Sequence, residues 1–440
     1  MALAADGAAQ PSETSLADLG LSGSVALDYF SSNHGIDDRR HFPGINLTVK
    51  QRHTLADGIR WVAEGRVLAQ QLGHDDEDAL QASSRDLRYA DEVVAELREA
   101  YVAIERAQWE LSVGRQIIVW GRADEINPTD VLSPKNFLLL LPDAPSASRF
   151  GTTAVKVNYF ATRNLRATAV WQPIMSPSVI PVAEPPPGVG VESHPPAIRL
   201  ENGTAAFKLD HSGGEIDASF AYAYGYNLLP EVRLTQLTND STTGVVHAHV
   251  DLANARQHMI GVDFATTRQR LGLRGEVAYF LTDNPHGTRL DGVTPSLFYV
   301  LGVERSFPGD VSVIVQYVGR WVMARVDPAR ALDGPDPTLD QARFLAARET
   351  FIINQQLDTV QNGWSLRIDK RFWNDTLDCE VLGVHHFERN DFFLRPRLTY
   401  DLADGWRVGI GGEVFGGPQV SFFGRVKDNS GGFVELLYSF

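Results

Sequence analysis

Along most of the chain, apolar and polar residues alternate one for one. From Glu215 onward, Ile216, Ala218, Phe220, Tyr222, Tyr224 and Tyr226 fall on one side of an extended chain, with Asp217, Ser219, Ala221, Ala223 and Gly225 on the other. Val311, Val313, Val315, Tyr317 and Trp321 alternate in the same way with Ser312, Gln316 and Arg320. Leu271, Leu273, Val277 and Tyr279 stand against Arg274 and Glu276, and Leu165, Ala167, Ala169 and Trp171 against Arg166, Thr168 and Gln172. A helix repeats about every 3.6 residues and explains none of these runs, whereas strands with one apolar face require them.

Very short connections, at Thr54–Gly58, Glu105–Gln108, Thr162–Asn164, His211–Gly214, Thr267–Arg270, Phe307–Asp310, Trp373–Thr376 and Ala403–Gly405, separate these runs. Long ones stand between them: Ser32–Pro43, Gly73–Glu92, Gly121–Gly151, Pro173–Asn202, Leu228–Gln257, Thr282–Pro295, Met323–Gly363 and Gly416–Gly431. Only the tight connection near Asn390–Asp391 breaks the alternation. The pattern predicts an all-β fold, a transmembrane antiparallel β-barrel of about 18 strands (range roughly 16–18) with short periplasmic turns and long external loops. Arg348–Leu357 reads as a further strand or as the external extension of its neighbour. Tyr29, Trp61, Trp109, Tyr159, Trp171, Tyr226, Tyr279, Trp321, Trp364, Tyr400, Trp406 and Tyr438 sit at strand ends, as interfacial aromatic girdles do. The last strand alternates and ends on Phe440, similar to the terminal signal read by the outer-membrane barrel-assembly machinery.

Composition narrows the reading. The 440 residues show no change of character that would mark a second domain. Residues 1–19 read as a leader, with Ala2-Leu3-Ala4 either the stub of a removed secretory signal or part of a flexible start, and residues 20–440 as a single barrel. No run approaches the roughly 18–20 apolar residues of a spanning helix, and a mean hydropathy of −0.17 suits strands that are apolar on one face. A net charge of −15 argues against nucleic acid and is compatible with acidic loops beside outer-membrane lipid and lipopolysaccharide. The single cysteine, Cys379, excludes an internal disulfide and a Cys-based zinc site.

The segment Leu111-Ser-Val-Gly-Arg-Gln-Ile-Ile-Val-Trp-Gly-Arg-Ala-Asp-Glu-Ile-Asn-Pro-Thr-Asp130 resembles the signature of a proteobacterial outer-membrane porin family akin to the alginate-export barrels. Gly114, Arg115, Gln116, Trp120 and Gly121 carry the likeness. The resemblance implies an 18-stranded porin-like channel and names no cargo.

With the apolar face outward, the lumen receives Arg60, Glu64, Arg66, Glu96, Arg98, Lys156, Arg166, Lys208, Asp210, Asp217, Asp263, Arg274, Glu276, Glu304 and Arg320. It also receives Arg367, Asp369, Arg371, Glu380, Arg395, Arg397, Arg407, Glu413 and Glu435. The arginines of the later strands hint at affinity for anionic solutes. Two residues break the pattern: strict alternation puts Arg115, and Glu99 on the preceding strand, into lipid, at a cost of about 2–4 kcal/mol for a mid-depth arginine. A two-residue turn at Glu105–Gln108 would set Glu99 opposite Gly114. Either a bulge at Gly114 turns Arg115 inward, or Glu99 and Arg115 form an ion pair shielded by a neighbour.

The long connection 121–151 carries turn signals at Asn127-Pro128 and Ser133-Pro134, a Thr129/Asp130 cap for a short helix, and an apolar run, Leu138–Leu141. It reads as a constriction folded into the barrel, with Arg122, Asp124, Asn127 and Asp130 facing the passage; an external flap is the alternative. Pro181, Pro185, Pro186, Pro187, Pro195 and Pro196 mark a stiff external arm. His385 and His386 point to opposite faces, and His74 with Asp75, Asp76, Glu77 and Asp78 reads as a solvated acidic loop, so no metal or other cofactor is expected. Motifs for nucleophilic, zinc-hydrolytic and phosphate-binding sites are absent. The chain therefore reads as a channel for small or amphiphilic solutes and not an enzyme. The alternatives are a conduit within an envelope or export complex and, last, a barrel enzyme; a homo-oligomer stays open.

Overall fold

The computed structural model describes residues 19–32, 40–70, 87–90, 93–137, 148–180, 188–239 and 246–440. Residues 1–18, the His74–Asp78 cluster, residues 138–147 and four prolines (Pro181, Pro185, Pro186 and Pro187) lie outside them.

The first strands are β1 (Leu21–Ser32), β2 (His41–Ala56), β3 (Ile59–Gln70), β4 (Leu87–Ala90), β5 (Val93–Arg106) and β6 (Trp109–Gln116). After a long excursion come β7 (Thr152–Phe160), β8 (Leu165–Gln172), β9 (Val189–His194), β10 (Thr204–His211) and β11 (Ile216–Tyr226). Next are β12 (Glu231–Asn239), β13 (Val246–Ala253), β14 (Arg256–Arg268), β15 (Leu271–Thr282), β16 (Ser296–Phe307) and β17 (Val311–Val322). Helix α1 (Pro337–Ile353) precedes β18 (Val360–Phe372), β19 (Leu377–His386), β20 (Asp391–Ala403), β21 (Trp406–Gly416) and β22 (Gly431–Ser439).

One sheet holds nineteen of these strands. Short β4 pairs only with the outer end of β5, and the other eighteen form the wall, each antiparallel to its neighbours. β22 pairs with β1 and closes the barrel, with reciprocal bonds of 2.9 Å between Gly23 and Phe440. Closure leaves no sheet edge in the wall, the condition for a sheet to sit in hydrocarbon. The outward residues are the expected apolar set: Leu27, Val67, Val113, Phe220, Val262, Leu301, Val315 and Ile410 are all exposed. Trp109, Tyr159, Tyr400, Trp406 and Tyr438 ring the short-turn end, and Tyr29, Trp171, Trp321 and Trp364 the other, all exposed. Eight connections at one end span two to four residues, and residues 387–390 make the one tight connection from wall strand to wall strand at the other end, where the sequence broke step.

Three expectations change. Arg348–Leu357 is not a strand: it holds the end of α1 from Arg348 to Ile353, and the start of that helix is fixed by Asp336 accepting from Thr338 and Leu339 backbone N–H groups, with Pro337 in the first turn. Two long connections are not plain loops, since β9, β12 and β13 form a separate three-stranded sheet packed on α1 through Val232, Leu252 and Ala346. Thr129 and Asp130 cap no helix; the segment there turns through Asp130 N–H to Asn127 O at 3.2 Å.

Candidate functional site

β6 has eight residues and its partner β5 fourteen, so after Gln116 the chain leaves the wall. The departure is pinned at its base: Ile118 N–H donates to Ser133 Oγ at 2.7 Å, and that hydroxyl donates back to Ile118 O at 3.0 Å. From there the segment crosses the inside of the barrel. Glu276 on β15, buried, accepts from Thr129 N at 2.6 Å, Thr129 Oγ at 2.8 Å, Arg122 N at 3.0 Å and Ala123 N at 3.2 Å. Gln316 on β17 exchanges bonds of 2.9 and 2.8 Å with the Asp124 backbone. Arg367 on β18 reaches the Asp124 carboxylate at 3.4 Å and Glu125 at 3.7 Å.

The apolar side of the segment explains a sequence detail. Ile118, Trp120 and Leu132 are buried against Ala154, Val170, Ala206, Ala221, Ala223, Met259 and Ala278, the inward residues of β7 to β15. Small inward side chains leave room for the crossing chain, and the tryptophan fills it. At Gly121, with φ 102°, an added Cβ would stand 2.6 Å from the Glu276 carboxylate, so only glycine lets the backbone pass.

The charged wall is mostly self-paired. Arg367 also meets Glu380 at 2.6 Å and Asp369 at 3.2 Å; Arg397 meets Glu435 at 3.3 Å, Arg395 meets Glu413 at 3.8 Å, Arg371 meets Asp378 at 3.9 Å and Arg407 meets Asp401 at 2.8 Å. Further round the wall, on β2, β3 and β5, Lys50, Glu64, Glu99, Arg98, Glu96 and Arg66 form a continuous ladder, with Arg66–Glu96 at 2.5 Å. The later arginines therefore carry little net positive field. Cationic excess lies elsewhere, in a recess of about 240 Å³ beside the start of the crossing segment. Lys156, Arg166 and Lys208 line it against one carboxylate, Asp210. Asp210 engages Arg166 at 3.1 Å and Lys208 at 3.2 Å, while among the described residues no carboxylate lies within ion-pair reach of Lys156.

The irregularity around Arg115 resolves differently from either expectation. Pairing runs without a break through Gly114, with Tyr101 opposite Gly114 and Ala100 opposite Arg115. The bulge lies on β5, where Arg98 is the extra residue between the pairs Glu64–Glu99 and Gly65–Leu97. It turns both Arg98 and Glu99 inward. Glu99 then binds Lys50 at 3.3 Å and accepts from Ile117 N at 3.3 Å, so the Glu99–Arg115 pair does not form. Arg115 keeps its outward parity and folds onto the wall, donating through Nε to Leu97 O where β6 no longer covers β5.

Of the loop residues expected to face the passage, Asp124 lies beside Arg367 at the far end of the crossing. Arg122 instead turns into the wall toward Asp263 and Asp210, Asn127 donates to Ala123 O at 2.9 Å, and buried Asp130 takes Arg149 at 2.7 Å. These three brace the segment, because a polar backbone crossing an enclosed space needs its groups satisfied. Sequence reasoning passed over Glu125 and did not single out Glu276 or Gln316. Glu276 shares its strand face with Arg274 and has no local mark; only the fold brings residue 129 to it. Gln116, part of the signature, is buried and donates to Ala154 O at 3.1 Å.

No family model and no curated protein matches the chain. Solved structures do match in fold. OccAB1 of Acinetobacter baumannii is 10% identical with a TM-score of 0.53, over 96% of each chain. OccK11 (OpdR) of Pseudomonas aeruginosa is 11% identical with a TM-score of 0.51, over 95% of each chain. OpdK of Pseudomonas aeruginosa, solved with vanillate, is 11% identical with a TM-score of 0.50, over 96% of this chain and 97% of that one. The chain shares with them the closed antiparallel barrel of eighteen strands.

Proposed function

We propose that the chain is a porin-like channel of a Gram-negative outer membrane, passing small solutes through a lumen narrowed by residues 121–133. The observation that carries this reading is the segment tied across the barrel interior by Glu276, Gln316 and Arg367. A segment held by this many directed bonds sets a fixed aperture rather than a mobile flap. In this reading Asp124 and Glu125 meet the passage, while Gly114, Arg115, Gln116, Trp120 and Gly121 shape the exit from the wall. The likeness of residues 111–130 to the alginate-export barrels supports the same class, and barrels of the matching fold include one solved with a small aromatic carboxylate.

Anionic solutes are favoured, through Lys156 in the recess beside the segment and not through the paired arginines Arg367, Arg371, Arg395, Arg397 and Arg407. Reversal potentials across a salt gradient in planar bilayers test this. Anion preference is expected for the native protein and a shift toward cations for Lys156→Glu; a native protein that prefers cations, or one that passes no current, overturns it.

A further inference from the structure

Residues 195–203 run from β9 back to the wall at β10, on the outside of the barrel. In this stretch Leu200 and Ile198 are 76% and 64% exposed, Leu200 more than any other large apolar side chain among the described residues. Such exposure costs free energy in water in proportion to area. The turn is clamped to the lipid-facing surface: Asn202 Oδ1 accepts from Tyr226 OH at 2.9 Å and from Arg256 at 3.0 Å. Arg256 also donates to Glu201 O, and a Cβ on Gly203 would lie 3.1 Å from the Trp171 indole nitrogen. Trp171, Tyr226 and Arg256 all belong to the outward face, at the ends of their strands away from the short turns.

The same arc is cationic and aromatic. The Arg256 guanidinium lies 4.5 Å from the Tyr226 ring centre and 5.1 Å from that of Tyr224, and His258 bonds Tyr222 OH at 2.8 Å. Glu201, beside Asn202 in the turn, is met by Arg199 at 3.4 Å. On another arc the equivalent aromatics, Tyr299 and Tyr317, bond Asn362, which in turn donates to Glu388, so the positive rim is local.

We propose that this turn is a lipid-binding foot: Ile198 and Leu200 enter the outer leaflet, and Arg256 meets the phosphate of an anionic lipid there. Apolar side chains beside aromatic and cationic groups are what an interfacial anchor presents to such a leaflet. The inference rests on the barrel spanning a bilayer and is independent of what the lumen passes.

The test uses full-length protein with Cys379→Ser, carrying either Leu200→Cys or Glu192→Cys, labelled with a polarity-sensitive dye and reconstituted in phosphatidylcholine vesicles containing phosphatidic acid. Glu192 lies on the exposed face of the small sheet, with its side chain 59% exposed. Spin-labelled lipid is expected to quench the Leu200 dye several-fold more than the Glu192 dye, with iodide doing the reverse. Equal behaviour at the two positions overturns the foot. Spin-labelled phosphatidic acid should quench the Leu200 dye more than spin-labelled phosphatidylcholine, a preference lost in Arg256→Gln; no preference in the unsubstituted background overturns the phosphate contact. Native conductance in the labelled proteins confirms the barrel has folded and separates this outcome from the channel reading.

Discussion

Glu276 is the residue on which the crossing segment turns. Two residues of one strand, Arg274 and Glu276, share a face, yet Arg274 pairs with Glu304 on the next strand while Glu276 spends its oxygens on the segment. Replacing it by alanine strands several N–H groups in a buried place, at about 1–3 kcal/mol for each donor left without a partner. Glu276→Ala is therefore expected to fold as a barrel but to show frequent current fluctuations in single-channel recordings; steady native current would contradict the role. Glu125 supports a second expectation. Burial, then the neighbouring Asp124, holds its carboxyl above the usual carboxylate range. Its negative charge is thus lost earlier than usual as pH falls from neutral toward the ordinary carboxylate range, and anion preference should rise over that window, with a flatter response in Glu125→Gln. Neither residue was legible from the sequence, where each is one carboxylate in an alternating run or a turn.

Among elements, legibility followed the range of the interactions. The period-two runs and tight turns are local, and they placed the wall strands well. The bulge at Arg98 could not be found the same way, because it depends on what β3 offers across the ladder, although the misfit at Glu99 marked its neighbourhood to within one residue. α1 was missed despite its Asp336-Pro337 start, because its apolar residues were read as strand in a chain full of strands. The external sheet is locked to the connection between β15 and β16 by buried Glu231, which accepts from Arg233 at 2.6 Å, Arg289 at 2.8 Å and Val293 N at 2.8 Å. Removing the Glu231 carboxylate leaves the buried Val293 N–H without its acceptor, at about 1–3 kcal/mol, beside two arginines that are partly solvated. In Glu231→Ala, limited proteolysis is expected to cut within residues 283–295 much faster than in the native protein while the barrel core stays intact; an unchanged rate would contradict the lock.

At the scale of the molecule, alternation alone establishes a closed wall with an apolar outside. What the wall encloses is decided by residues far apart in sequence: alanines on four strands that make room, one tryptophan that fills it, and acceptors on β15 and β17 that hold the crossing backbone. The most direct test removes the crossing and leaves the wall untouched. Ile118 N and Ser133 Oγ are 2.7 Å apart, so residues 119–132 can be replaced by a short glycine linker without moving the strand ends. Single-channel conductance of that variant in planar bilayers should rise several-fold over native with weakened ion selectivity. Conductance equal to the native value would contradict the claim that this segment sets the aperture.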